Sequence, residues 1–157
     1  MEVQVEKNGG IIMFFIGKYN HNLDEKNRLI MPSKLRDKLG TVVYVTRGLD
    51  KCLAVYPEEV FQKKVEELSS YSTFNPQNRS YARTFFSNSY ECEIDKQGRI
   101  QLTKDSLEKV GISKDVVIIG NNDHVEIWGI KEFNAVQEDG ETNFELNASK
   151  IYEGKGE

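Results

Sequence analysis

Short runs of alternating hydrophobic and polar residues follow one another along the chain, and they recur in two copies. In the first copy, strand-like residues 14–23 and 29–31 flank a polar turn at residues 24–28. The second copy has the same arrangement around residues 95–99. Both segments are therefore predicted to be short hairpins. An internal repeat constrains the fold more than any single motif does.

The pattern after each turn predicts the same succession of elements. A helix of about two turns ends at Gly40, strands follow at 42–47 and 52–56, and a second helix opens at Pro57. The second copy predicts a helix at 103–110, strands at 116–119 and 124–128, and a helix carrying Phe133. We therefore predict an α+β protein, mainly β with short helices, built from two tandem repeats.

Domain boundaries follow from this succession. We assign residues 17–59 to repeat 1, 60–87 to a helical connector with a helix start at Asn75-Pro76, and 88–131 to repeat 2. Residues 132–157 form a C-terminal helix and an acidic tail, and we expect the stretch from 138 to be exposed and partly disordered. Residues 1–12 lack a period and are predicted to be an extension. Two glycine codons shortly before Met13 fit a ribosome-binding run, so Met13 is the predicted native start.

Each turn combines an aspartate, a residue suited to a left-handed conformation, and an arginine. Asp24 and Asp95 are expected to accept hydrogen bonds from backbone amides within their turns. Asn27 in the first turn corresponds to Gly98 in the second, and these residue types adopt positive φ most easily. We therefore expect both turns to need a left-handed residue directly before the arginine.

Composition gives little sign of a nucleic-acid partner until the charge is mapped along the chain. The net charge is −4 and the pI about 5.4, whereas nucleic-acid binders are usually basic. Residues 1–89 carry a net charge of +3 and residues 90–157 a net charge of −7, which sum to −4. The basic surface is thus predicted to lie on the first repeat and connector. The chain has no signal peptide and no apolar run that could cross a bilayer, which favours the cytoplasm.

The two turns and their surroundings resemble the MraZ family, bacterial regulators built from two SpoVT-AbrB-type repeats. One Asp-x-x-x-Arg turn would be a weak sign, but two in register with matching flanks are specific. The resemblance covers about residues 13–137. It rests on Gly17-Lys18-Tyr19, Leu23-Asp24, Arg28-Leu29-Ile30-Met31-Pro32, Thr46-Arg47-Gly48-Leu49-Asp50-Lys51-Cys52-Leu53, Val55-Tyr56-Pro57, Asp95-Lys96-Gln97-Gly98-Arg99-Ile100 and Glu126-Ile127-Trp128.

The resemblance implies a double-split β-barrel in which the two repeats interlock, and a homo-oligomeric ring. It also implies binding to tandem short repeats in double-stranded DNA, upstream of the division and cell-wall gene cluster, and hence association with the nucleoid. Arg28 and Arg99 are the arginines at the implied DNA-binding face. The second copy departs from the family pattern, because Ser106-Leu107 stands where Leu-Arg is usual, whereas the first copy keeps Leu35-Arg36. Leu102-Thr103 likewise stands where Ile-Pro is usual, and both departures agree with the acidic charge of the second half. The second copy is therefore expected to be the weaker DNA contact.

An arginine on a rigid turn can donate two hydrogen bonds to a guanine edge, or it can bind a phosphate. Lys26 and Lys96 suit salt-dependent phosphate contacts, and Asn27 is placed with them as a candidate DNA-binding residue. Asp24, Asp95 and Gly98 are assigned structural roles in the turns. The competing interpretation is that each arginine only forms an internal ion pair with the aspartate of its own turn.

Other function classes find less support in the sequence. There is no phosphate-binding glycine loop and no nucleophile elbow, so no enzymatic activity, cofactor or small-molecule substrate is expected. The repeat alignment places His21 opposite Cys92 and Cys52 opposite His124, but none of these spacings is typical of metal ligands, so no metal is expected. The alternative function is an antitoxin-like or other protein-interaction module on the same barrel, without DNA specificity.

Overall fold

The computed structural model of the protein describes residues 14–155, and only the backbone at residues 4–5, 11–12 and 155. The predicted start at Met13 and most of the predicted extension lie outside the described residues. The helices are α1 Ser33–Leu39, α2 Glu58–Ser69, α3 Pro76–Ser87, α4 Lys104–Lys109, α5 Ile130–Thr142 and α6 Phe144–Lys155. The strands are β1 Gln4–Val5, β2 Ile11–Ile12, β3 Lys18–Asn22, β4 Arg28–Ile30, β5 Val42–Arg47, β6 Leu53–Pro57, β7 Tyr90–Glu93, β8 Arg99–Gln101, β9 Asp115–Asn121 and β10 His124–Gly129.

The main sheet exchanges strands between the two repeats. Its six strands run in the order β3-β9-β10-β6-β5-β7, and every neighbouring pair is antiparallel. Strand β3 of the first repeat pairs with β9 of the second, and β7 of the second pairs with β5 of the first. A separate two-stranded ribbon joins β4 to β8. The predicted α+β class with antiparallel sheets is therefore confirmed.

The prediction that the two turns are hairpins is wrong. The strands flanking each turn do not pair with each other, because β3 and β7 join the main sheet while β4 and β8 form the ribbon. Each turn is still closed locally, since the Asp24 N–H donates to the Arg28 carbonyl at 3.0 Å and the Asp95 N–H to the Arg99 carbonyl at 2.9 Å. Alternation locates strands but carries no information about their partners. The hairpins predicted later in each repeat, β5–β6 and β9–β10, are confirmed.

The ribbon lies against the main core and ties the repeats together. Leu29 and Ile100 face each other across β4 and β8, and both side chains are completely buried. Just beyond the ribbon, the Met31 N–H donates to the Gly98 carbonyl at 2.9 Å and the Leu102 N–H to the Asn27 carbonyl at 3.0 Å. Each strand thus continues onto the turn of the opposite repeat. One hydrophobic cluster contains residues of both repeats.

Two smaller aromatic clusters repeat the pseudo-symmetry on the outer faces of the sheet. Tyr56 at the end of β6 packs on Phe61 of α2, with ring centroids 6.3 Å apart. Trp128 at the end of β10 packs on Phe133 of α5, with ring centroids 5.9 Å apart. The four residues therefore occupy corresponding places in the two repeats. In each repeat, an aromatic side chain anchors the final helix to the last strand.

The connector behaves as predicted, whereas the tail does not. Asn75 accepts a hydrogen bond from the Gln77 N–H at 2.8 Å and so caps α3, which begins at Pro76. The expectation of partial disorder after residue 138 is wrong, because α5 and α6 continue the chain as helix to Lys155. Glutamate, alanine, leucine and lysine in this stretch are good helix formers, although the acidic composition resembled that of a disordered tail.

Shortening Leu29 should destabilise both repeats together. We expect Leu29→Ala to lower the free energy of unfolding by about 2–5 kcal/mol, because it leaves a cavity where the repeats interlock. Thermal or denaturant unfolding should remain a single transition. Ile30→Ala is the matched control, since Ile30 lies on the same strand but is 49% exposed, and it should cost less than about 1 kcal/mol. Two separate unfolding transitions would contradict the interlock.

Candidate nucleic-acid interface

The first turn is held by the carboxylate of Asp24. Its Oδ1 accepts the backbone N–H groups of Lys26 and Arg28, each at 2.9 Å. Its Oδ2 accepts a hydrogen bond from Nε of Arg28 at 2.8 Å. One carboxylate therefore fixes both the backbone of the turn and the arginine side chain. The Arg28 backbone hydrogen bond is the main cause that lowers the pKa of Asp24 below its ordinary value. The carboxylate is therefore ionised at neutral pH.

The second turn repeats this geometry almost atom for atom. Asp95 Oδ1 accepts the N–H groups of Gln97 and Arg99, each at 2.9 Å, and Oδ2 accepts Nε of Arg99 at 2.8 Å. The backbone hydrogen bond from Arg99 is again the main cause that lowers the pKa of Asp95. Both aspartates thus make the backbone hydrogen bonds that the sequence predicted for them.

A left-handed residue precedes each arginine, as predicted. Asn27 has a φ of 61° and Gly98 a φ of 80°. The two positions differ in the space above them. A Cβ atom at Gly98 would overlap Arg36 Nη1 and lie 2.6 Å from Arg36 Cζ. The backbone conformation at Gly98 therefore favours glycine, and the guanidinium group of Arg36, at the end of a flexible side chain, would have to move to admit a Cβ atom.

The register of the ribbon places both arginines on one exposed face. Arg28 lies opposite Gln101, and Arg99 lies opposite Ile30. Opposed residues on an antiparallel pair, and residues two apart on one strand, point to the same side. The side chains of Arg28, Ile30, Arg99 and Gln101 therefore share one face, which we call the ribbon face. Leu29 and Ile100 point the other way into the core.

Each arginine keeps its terminal nitrogens available. The ion pairs with the aspartates use only Nε, and the terminal nitrogens of Arg28 and Arg99 have no hydrogen-bond partner within the described part of the chain. The two side chains are 28% and 23% exposed. The internal ion pair and an external contact are thus compatible, because a guanidinium has several N–H donors and can donate to both partners at once. A fork of two such nitrogens fits the O6 and N7 acceptors of guanine.

Arg36 joins this surface from the opposite repeat, which the sequence did not reveal. Its helix α1 belongs to the first repeat, yet Nη1 lies 3.5 Å from the Gln97 carbonyl and over Gly98 in the second turn. The equivalent Leu107 is buried in the core. Because Arg36 of the first repeat lies over the second turn, its counterpart in the second repeat corresponds to the first turn. That counterpart is Leu107, so the first turn and not the second lacks the additional positive charge. The ranking of the second copy as the weaker DNA contact stays a prediction, because the net charge of −7 on residues 90–157 does not depend on the position of Arg36.

Gln101 and Ile30 are further residues of the ribbon face that sequence reasoning missed. Gln101 Nε2 donates to the Lys26 carbonyl at 2.6 Å and to the Leu102 carbonyl at 3.2 Å. Ile30 is an exposed aliphatic side chain between polar neighbours. The available signal was the two-residue period of the strands, which places the second residue after each arginine on the same side as the arginine.

The remaining candidate DNA-binding residues lie on the turns. Lys26 and Lys96 are exposed, and their side chains make no hydrogen bond or ion pair within the described residues. They do not occupy equivalent positions, since Lys26 aligns with Gln97. Asn27 is half-buried and holds the ribbon through its carbonyl. Each turn thus carries one exposed lysine next to the ribbon face.

Two of the residues considered for a metal site, His124 and Cys52, have other surroundings in the structure. No group of three His, Cys, Asp or Glu that could hold a metal occurs among the described residues. His124 instead bonds Asp123 at 2.8 Å and Glu126 at 3.3 Å. Burial alone would lower the pKa of His124, but the hydrogen bonds to Glu126 and Asp123 outweigh it and raise the pKa. Burial raises the pKa of the Cys52 thiol to about 12, so this thiol stays protonated.

Comparison with known proteins adds a family to this geometry. A sequence profile whose description reads MraZ protein, and which suggests an antitoxin-like character, matches residues 14–84 and again 85–151. The "Transcriptional regulator MraZ" of Mesoplasma florum is 41% identical over 143 residues, 90% of this chain and 98% of the relative. The proteins of the same name from Finegoldia magna and Heliobacterium modesticaldum are 40% and 41% identical, over 83% and 87% of this chain and 92% and 96% of the relatives. None of the described helices is long and apolar enough to span a membrane.

A double-mutant cycle should reveal Arg36 above the second turn. We expect Gly98→Ala to lower the free energy of unfolding by about 1–3 kcal/mol through backbone strain alone, with a further loss from displacing Arg36. In an Arg36→Ala background only that further loss should disappear, as measured by denaturant unfolding. Asn27→Ala is the matched control, because no guanidinium covers Asn27, and its cost should be the same in both backgrounds. Equal costs of Gly98→Ala in the two backgrounds would contradict the packing.

Proposed function

The chain belongs to the MraZ family, with two tandem MraZ domains, and we propose that it is a sequence-specific DNA-binding transcriptional regulator. Proteins of this family are not enzymes. The observation that carries the proposal is the ribbon face, where Arg28 and Arg99 lie diagonally across from each other on a ribbon anchored in the core. A two-stranded ribbon has the width to enter the DNA major groove.

Arg28 and Arg99 read bases in this proposal, and the lysines position the protein. The aspartates hold each guanidinium in place through Nε, which leaves the terminal nitrogens to bond guanine O6 and N7. Lys26, Lys96 and Asn27 contact the phosphate backbone and carry no sequence information. Asp24, Asp95 and Gly98 shape the turns without touching DNA. Preorganisation of this kind lowers the entropy cost of binding.

We further propose that copies of the chain assemble into a ring. Helix α6 supports this assembly, because Phe144, Ile151 and Tyr152 recur on one helical face and are 68%, 68% and 72% exposed. No hydrogen bond, ion pair or ring contact joins α6 to the sheets among the described residues. Its suggested partner is a cavity of about 390 Å³ between α2 and α3 of a neighbouring copy, lined in part by Leu68, Tyr71, Tyr81 and Phe85.

A ring would present several ribbon faces to tandem DNA repeats at once and raise the apparent affinity through effective concentration. Repeats spaced near one helical turn, about 10 bp, would meet the same face of the ring.

The remaining parts of the proposal follow from the family resemblance. The strand exchange between repeats supports a double-split barrel with domain limits at 17–59 and 88–131. The targets are tandem repeats upstream of the division and cell-wall gene cluster, which places the protein on the nucleoid. The second candidate function is an antitoxin-like protein-interaction module without DNA specificity. It is favoured by the description of the family profile and by the unpartnered face of α6.

Removing the ribbon arginines should separate the two candidate functions. We expect Arg28→Ala and Arg99→Ala each to weaken binding by roughly 5- to 100-fold, because each loses a two-point guanine contact. The measurement is a titration of duplex DNA carrying the upstream repeats against a scrambled duplex, at two salt concentrations. Arg47→Ala is the matched control, since it removes the same charge from an exposed position on β5. Unchanged binding by the Arg28→Ala/Arg99→Ala double variant would contradict the ribbon face as the DNA contact. A wild type that does not distinguish the repeats from the scrambled duplex would favour the interaction module.

Polar substitutions on α6 should break the proposed ring. We expect Ile151→Ser/Tyr152→Ser to reduce the mass measured by light scattering, and to reduce affinity for a tandem array to that for a single repeat. The physical reason is the loss of apolar surface that a neighbouring copy would bury. Leu146→Ser is the matched control, because Leu146 is 53% exposed on the opposite face of the same helix. An unchanged mass would show that α6 does not mediate assembly.

A further inference from the structure

The ribbon face is nearly symmetric, and its departures from symmetry carry information. Arg28 and Arg99 are equivalent, their aspartate partners are equivalent, and Leu29 and Ile100 fill equivalent core positions. Within the ribbon, the exposed pair that breaks the equivalence is Ile30 and Gln101, each the second residue after an arginine. Because opposed residues share a face, Gln101 stands beside Arg28 and Ile30 stands beside Arg99.

Gln101 presents an acceptor to the ribbon face. Its Nε2 is engaged by two backbone carbonyls, those of Lys26 at 2.6 Å and Leu102 at 3.2 Å. Because carbonyls only accept, the amide nitrogen must face them and Oε1 is left without a partner among the described residues. A free amide oxygen suits an amino donor on a base edge. In the major groove such donors are N6 of adenine and N4 of cytosine.

Ile30 presents a different chemistry at the equivalent position. The residue is 49% exposed beside Arg28 and Arg99, so much of its apolar surface stays in contact with water. The only apolar group on a base edge in the major groove is the C5-methyl of thymine. An aliphatic side chain in the groove gains by excluding water from that methyl group. The two ends of the ribbon face thus favour different bases.

We propose that Ile30 and Gln101 are specificity-determining residues that fix the orientation of the ribbon on a non-palindromic DNA site, an inference that rests on the DNA-binding function proposed above. Arg28 with Gln101 reads one half of the site, and Arg99 with Ile30 reads the other. A face with identical halves would bind equally well in either direction. With these two residues the ribbon binds in one direction, so a tandem array of such sites orients every copy alike.

Selection from a randomised duplex library tests the inference. The proteins compared are the full chain, Ile30→Gln, Gln101→Ile and the double exchange Ile30→Gln/Gln101→Ile. We expect the wild type to select a non-palindromic site, and each single variant to make the selected half-sites more alike. In the double exchange, the bases selected beside the two arginine positions should change places. Exchanging those base pairs should alter affinity by roughly 5- to 100-fold, with opposite sign in the wild type and the double exchange.

Two further variants separate base reading from a structural role. Ile30→Val keeps an aliphatic side chain and should keep the wild-type preference. Gln101→Lys keeps a donor for the Lys26 carbonyl but removes the acceptor oxygen, so it should keep the melting temperature and change the preferred base. An unchanged base preference in Gln101→Lys would show that Gln101 only braces the turn, and would overturn the inference for that residue.

The outcomes distinguish failure of the inference from failure of the proposed function. If the wild type selects a sequence that depends on Arg28 and Arg99, but all exchange variants select that same sequence, the inference fails alone. If the wild type enriches no sequence, the proposed function fails and the inference fails with it. Circular dichroism of each variant confirms that the compared proteins are folded.

Discussion

The pairing of β4 with β8 is the interaction on which the rest of the structure depends. It buries Leu29 and Ile100 completely, and it attaches each repeat to the turn of the other through the Met31 and Leu102 amides. Neither repeat can close its own core, because the strands around each turn belong to different sheets. The same pairing sets the register that brings Arg28 and Arg99 onto one face. Stability and the candidate interface thus have one origin.

The aspartate of each turn restrains the arginine side chain without binding its terminal nitrogens. An arginine on an exposed turn has many rotamers, and ordering it on contact with DNA would cost free energy. The bond from Nε to the carboxylate removes much of that freedom in advance, while the terminal nitrogens remain free. The carboxylate in turn is fixed by backbone N–H groups, which also keep it ionised. The interpretation of these arginines as internal ion pairs and their interpretation as DNA contacts therefore describe one arrangement.

The sequence predicted the elements well, because helix caps, turn residues and alternation are local signals. Asn75 as a cap and the positive φ of Asn27 and Gly98 followed from residue type alone. Strand partners did not follow, because pairing depends on which residues share a core across a long stretch of chain. The sequence did not predict the position of Arg36 for the same reason. Arg36 was assigned to its own repeat, but its guanidinium group lies over the turn of the other repeat. The proposed DNA site rests on two arginine side chains that local patterns singled out but could not bring together.

Joining two repeats in one chain frees equivalent positions to differ. In a symmetric dimer of single repeats, any change appears twice, so both halves of the interface must satisfy it. Here Gly98 lies beneath Arg36, whereas Asn27 occupies a turn whose corresponding helix residue, Leu107, is buried in the core. The second turn thus combines Gly98 with Arg36, and the first turn combines Asn27 with a leucine at the position equivalent to Arg36. The contrast between Ile30 and Gln101 fits the same logic, because only a single-chain pair of repeats can place different chemistry on the two halves of one ribbon.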